Sequence, residues 1–135
     1  MFVLLALIAP AFEAPASAQD ILINEVVYDP DSAGSDDGFE WVELCNRGSA
    51  PVDLSDWTLE MAGTTFAPVS IGGSATVTGT LDPGAYLVLG FGSLTNAGAF
   101  DPNLQNGGSA TDGIRIKDAA GNVMDTLLFD SPNDN

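Results

Sequence analysis

Turn-forming residues interrupt this chain so often that no long helix can form in it. Its 135 residues include 15 glycines and 8 prolines, and the apolar residues between them fall into short runs. Such punctuation predicts many short strands joined by turns. The best run is residues 39–46, Phe-Glu-Trp-Val-Glu-Leu-Cys-Asn. Val42 and Leu44 fall on one face at period two, with Trp41, Glu43 and Cys45 on the other.

The remaining runs follow the same rhythm. Residues 21–28 read as a first strand, interrupted by Asn24-Glu25 and closed by Asp29-Pro30. The carboxylate of Glu25 either points to solvent or hydrogen-bonds at the sheet's end. Pro51 cannot donate to a ladder, so residues 51–59 begin at a strand start or an edge. Apolar phase switches between Leu54 and Trp57, which a tight turn or bulge at Ser55-Asp56 would produce. Trp57 is the candidate for the core's largest side chain; burying one Trp removes about 200 Å² from water.

Residues 64–80 give two weak strands suited to edges. Asp82-Pro83-Gly84 is a strong turn, with Pro second and Gly third. Residues 85–90 are apolar on both faces and therefore central, and residues 96–111 form a surface loop. Residues 113–117 and 123–129 form a hairpin across the turn 118–122, with Arg115 and Lys117 together on its solvent face. About eight short, mainly antiparallel strands result, and the fold class is all-β, a sandwich or barrel.

Composition bounds the function. The apolar fraction of 45% suffices for one core, and one domain fits the length. Three basic residues against 19 acidic ones give a net charge of −16. Such a surface repels nucleic acid and anionic lipid and suits cations or basic partners. There is no histidine, which removes the commonest general base and transition-metal ligand. One cysteine excludes an internal disulfide and a multi-Cys zinc site.

Residues 1–18 read as a signal peptide: an apolar run too short to span a bilayer, a break at Pro10, and Ala16-Ser17-Ala18 as cleavage site. The pattern departs in one respect, since no Lys or Arg precedes the run. The mature chain is then secreted or displayed at the cell surface, extracellular or periplasmic, with no membrane span. The domain occupies residues 19–130. Residues 131–135 are linker or tail, pointing to neighbouring domains beyond the C-terminus.

Taken in order, these pieces resemble the lamin tail domain in its bacterial secreted form. The matching segments are Ile23-Asn24-Glu25-Val26 with Asp29-Pro30; Glu40-Trp41-Val42-Glu43-Leu44 with Asn46; Pro51-Val52-Asp53-Leu54-Ser55 with Trp57-Thr58-Leu59; Leu81, Pro83 and Gly84 with Tyr86-Leu87-Val88-Leu89; and the hairpin from Ile114 to Phe129. The resemblance implies an immunoglobulin-like β-sandwich acting as an accessory module beside other extracellular domains. It carries no catalytic residues, and no cofactor is required. The partner it implies is a protein or an extracellular surface ligand, of unknown identity.

One stretch carries chemistry of its own. Counted from Asp29, acidic residues stand at positions 1, 3, 8, 9 and 12 of residues 29–40, and glycine at 6. Calcium takes six to eight oxygens, and closely spaced carboxylates in a turning loop supply them. Asp29, Asp31, Asp36, Asp37 and Glu40 are therefore candidate calcium ligands. Ala33 at position 5, Pro30 at position 2 and flanking strands depart from the helix-loop-helix calcium loop. A solvated acidic loop is the plainer reading.

Three functions follow: a non-catalytic interaction module, a calcium-stabilised β-sandwich module, and, least supported, a small secreted hydrolase. For the last, Glu40 and Glu43 lie on opposite strand faces. Glu25 and Glu43 could share a face if their strands pair in the right register.

Overall fold

The computed structural model describes residues 20–30, 39–62, 65–69, 76–90, 98–99, 104 and 111–129. The expected signal segment, most of the acidic loop, most of the 96–111 loop and the C-terminal tail lie outside the described residues.

Eleven strands are described, and no α-helix lies among the described residues. They are β1 (Ile21–Val27), β2 (Trp41–Asn46), β3 (Val52–Asp53), β4 (Trp57–Ala62), β5 (Phe66–Pro68), β6 (Thr76–Val77), β7 (Thr80–Leu81), β8 (Tyr86–Gly90), β9 (Gly98–Ala99), β10 (Asp112–Lys117) and β11 (Val123–Phe129). The excess over eight comes from two-residue strands, β3, β6, β7 and β9, too short to carry a period-two signal. One sheet runs β1-β2-β8-β9; the other runs β11-β10-β4-β5, with β6 also on β4; β3 and β7 pair separately. All pairings are antiparallel except β8 with β9.

Alternation puts the core where the two sheets meet. Val42 and Leu44 of β2 and Leu89 of β8 meet Trp57 and Leu59 of β4 and Ile114 and Ile116 of β10 in one buried cluster. Each fully buried aliphatic side chain contributes about 1.5–3 kcal/mol. Trp57 is buried there, as its place after the phase switch predicts. The switch is a turn: the Trp57 N–H donates to Leu54 O at 3.1 Å, and Asp56 takes a positive φ of 64°. The Asp82-Pro83-Gly84 turn also forms, the Ala85 N–H donating to Asp82 O at 3.0 Å with Gly84 at φ 72°. A positive φ at its third residue is what glycine supplies without a Cβ clash.

β8 is central, between β2 and β9. β5 and β6 are the expected weak edges, both laid along β4. β10 and β11 form the expected hairpin, Asp112 opposite Phe129. At β1 the register shifts between Ile23 and Glu25. The Ile23 N–H there donates to Asp125 Oδ2 at 2.9 Å, so β11 satisfies a donor beside the bulge. Tyr28 stacks on Phe129 at 4.3 Å, again joining the two sheets.

One expectation needs correcting. Arg115 and Lys117 do share the outer face of the second sheet, but each is only half-buried there, not free in solvent. Arg115 Nε lies 2.6 Å from Glu60 Oε2 and Lys117 Nζ 3.2 Å from Glu60 Oε1. The Arg115 guanidinium also covers the Phe66 ring at 4.2 Å. Register explains the gathering, because Arg115 stands directly opposite Glu60 on β4. Glu60 is itself buried beneath the two cations.

Candidate functional site

The acidic loop joins β1 to β2, and the pairing of Val27 with Trp41 fixes its two ends. Asp29 is exposed at the near end. Glu40, at the far end, is only 2% exposed, and its Oε2 accepts the Leu104 N–H at 3.0 Å. Leu104 is itself buried, so Glu40 helps hold that residue against the sandwich. Asp31, Asp36 and Asp37 lie outside the described residues. Among the described residues, no three acidic or cysteine side chains converge as a metal site would require.

The β1–β2 register also resolves Glu25 and Glu43. They stand directly opposite one another and share a face. Like charges in that position repel. Asn24 Nδ2 donates to Glu43 Oε1 at 2.7 Å, which eases the contact and answers how the Asn24-Glu25 interruption is accommodated. Cys45 is buried between Leu22 and Tyr86 in the register, an apolar filler.

Burial alone would raise the Glu60 pKa. Hydrogen bonds from Arg115 and Lys117, with their charges, outweigh that and hold it below the ordinary value. Two of the chain's three cations are thereby committed to one carboxylate.

At the end of the sandwich where Lys117 pairs with Thr58, the β10–β11 turn lies beside the start of β4. A solvent-open groove of about 380 Å³ lies between them, lined by Pro51, Val52, Asp53, Trp57, Asp118, Ala119 and Ala120. Its walls are apolar apart from two carboxylates, both held by their own loops. Asp53 Oδ1 accepts the Ser55 hydroxyl at 2.6 Å and the Ser55 N–H at 2.9 Å. Asp118 accepts the Asn122 N–H and the Asn122 side-chain amide, each at 2.8 Å. Side-chain and then backbone hydrogen bonding from Ser55 lowers the Asp53 pKa, and the same from Asn122 lowers that of Asp118. Both therefore hold their charge to lower pH than an ordinary aspartate.

Sequence reasoning missed this groove. Its lining comes from residues 51–57 and 118–120, and only the β4–β10 register brings them together. The Asp-Leu-Ser and Asp-Ala-Ala-Gly-Asn turns were the available signals.

Two mainly antiparallel sheets around one core define an immunoglobulin-like sandwich. The chain belongs to the lamin tail domain family, whose model matches residues 14–130. Among solved structures it is similar to a chain of the archaellum periplasmic stator protein complex FlaF and FlaG from Sulfolobus acidocaldarius. The TM-score is 0.50 at 12% identity, covering 94% of this chain and all of that one, a likeness of fold. A search of curated proteins found no match.

Proposed function

We propose that this chain is a non-catalytic interaction module of a secreted or cell-surface protein and that it recognises a protein partner. Membership of the lamin tail domain family over nearly the whole chain carries this reading. The similar archaellum chain comes from a periplasmic protein complex, which favours a protein partner over a small substrate. Among the described residues no helix is long and apolar enough to cross a membrane.

The test has two arms. Purified chain is screened against esterase, phosphatase, nuclease and glycosidase substrates; turnover that disappears in Glu43→Gln would overturn the reading. In the second arm the immobilised chain is presented with the extracellular fraction of its own source. Saturable retention of one protein, repeated with both purified components, is the expected result.

A second reading places calcium at residues 29–40. The spacing of five carboxylates within twelve residues favours it, as does the exposed position of Asp29 at the loop's entrance. Glu40 would have to share its carboxylate with Leu104. A melt in millimolar calcium against chelator decides: selective binding raises the midpoint by mass action, and Asp31→Ala should abolish the rise. An unchanged midpoint would leave the loop as solvated surface.

A further inference from the structure

The groove between the β3–β4 and β10–β11 turns has the attributes of a socket for one side chain. Its volume of about 380 Å³ is at the small end of ligand sites. The exposed Pro51, Ala119 and Ala120 give it apolar walls, with the buried Val52 and Trp57 beneath them. Asp53 and Asp118 put two negative charges into those walls.

Charge decides what such a groove accepts. An anion would be repelled by both carboxylates. A neutral apolar group would strip water from two ionised oxygen pairs and return no hydrogen bond, which is strongly unfavourable. A cation with an apolar stem satisfies both parts of the lining. Guanidinium fits better than ammonium: it is flat, sheds water more readily, lies against aromatic and proline surfaces, and presents forked donors to carboxylates. The chain does not fill this role with Arg115 or Lys117, both held by Glu60 on the outer face of the second sheet. The whole molecule, at −16, draws cationic segments toward it.

We infer that the groove lined by Pro51, Trp57, Ala119, Asp53 and Asp118 receives an arginine side chain of the protein partner. This rests on the interaction-module reading and names the chemistry by which the partner is recognised. Asp53 and Asp118 accept the guanidinium hydrogens, while the stem lies along Pro51 and the two alanines. The turns are prepared for it, since Ser55 and Asn122 already fix both carboxylates before any partner arrives.

The test is an amide NMR titration of the isotopically labelled chain with the capped tripeptide Ac-Ala-Arg-Ala-NH₂. The same peptide with citrulline, which has arginine's shape without its charge, is the comparison. The arginine peptide should move the signals of Val52, Asp53, Ala119, Ala120 and the Trp57 indole N–H, saturably, with a Kd in the millimolar range. The citrulline peptide should move none of them. Asp53→Asn should weaken binding about tenfold, the size of one charge-assisted contact. Ala120→Lys, which tethers a cation in the groove and leaves both carboxylates in place, should abolish it. Glu25→Gln, at an exposed position of β1 outside the groove lining, should change nothing.

Equal shifts from both peptides, shifts spread over the acidic surface, or binding indifferent to Asp53→Asn and Ala120→Lys would each overturn the inference. Shifts at these residues with calcium alone, or on concentrating the protein alone, would give the groove to a metal or a second copy and overturn it too. If the peptide fails while the chain still retains its protein partner, only the groove assignment falls.

Discussion

At the scale of single residues, Asn46 is the position on which most separate parts of the chain converge. It is fully buried at the end of β2. Its Nδ2 donates to Ala50 O at 2.9 Å and Leu81 O at 2.8 Å, and its Oδ1 accepts the Gly48 N–H at 2.9 Å. Its backbone O also accepts the Gly84 N–H. Removing the amide leaves the buried Leu81 O and two half-buried backbone groups without this partner, a buried one costing about 1–3 kcal/mol. Asn46→Ala should therefore lower the unfolding free energy by about 3 kcal/mol, read from urea melts. Asn46→Asp should be no better, because an ionised carboxylate cannot donate to the two carbonyls. None of this was legible beforehand. The sequence marks Asn46 as the last residue of a good strand, but its partners at 50 and 81 meet only once β7 is in place. Cys45, by contrast, was readable as filler from its neighbours and from the absence of histidine.

Glu60 gives the residue scale its pH dependence. Its pKa is lower folded than unfolded, so the unfolded chain binds the proton first as pH falls. The stabilisation is complete above the ordinary glutamate range and is lost as pH drops through the lowered folded value. Stability measured from about pH 6 to about pH 2 should fall less steeply in Glu60→Gln than in the parent chain. An equal slope in both would show that other carboxylates carry the acid sensitivity.

At the scale of elements, the junction of β10 and β11 is the sensitive one. Gly113 opposes Leu128, and a Cβ there would lie 2.7 Å from Leu128 Cδ2 and 2.9 Å from Leu127 O. The exposed Leu128 side chain can swing away, whereas the carbonyl belongs to the ladder and cannot. Gly113→Ala should destabilise by about 1–2 kcal/mol as the strands part, with faster amide exchange in β10 and β11 than in β2. The hairpin itself was legible, since Ile114 and Ile116 alternate with Arg115 and Lys117 and a glycine-containing turn follows. The strand order was not. Period two assigns faces but not neighbours, so the placement of β10 against β4, and with it Glu60 against Arg115, lay beyond the reach of pattern.

At the scale of the whole molecule, charge is nearly one-sided. With 19 acidic residues and two of three basic ones held by Glu60, the folded surface repels itself. Screening should relieve that, so the melting midpoint should rise between about 10 mM and about 0.5 M sodium chloride. A midpoint indifferent to salt would mean that the carboxylates are already compensated locally. Fold class was legible here because it depends on turn frequency and alternation, which are local. The groove was not, because it belongs to the packing of two turns 60 residues or more apart in sequence.

The commitment of Arg115 and Lys117 also decides how the folded chain meets trypsin. The protease can cut only after Arg47, Arg115 or Lys117. The last two lie within β10, hydrogen-bonded to strands on both sides and clamped by Glu60. Arg47 is exposed just past β2. Native chain should be nicked there first, and the appearance of fragments ending at 115 or 117 would time the opening of the second sheet.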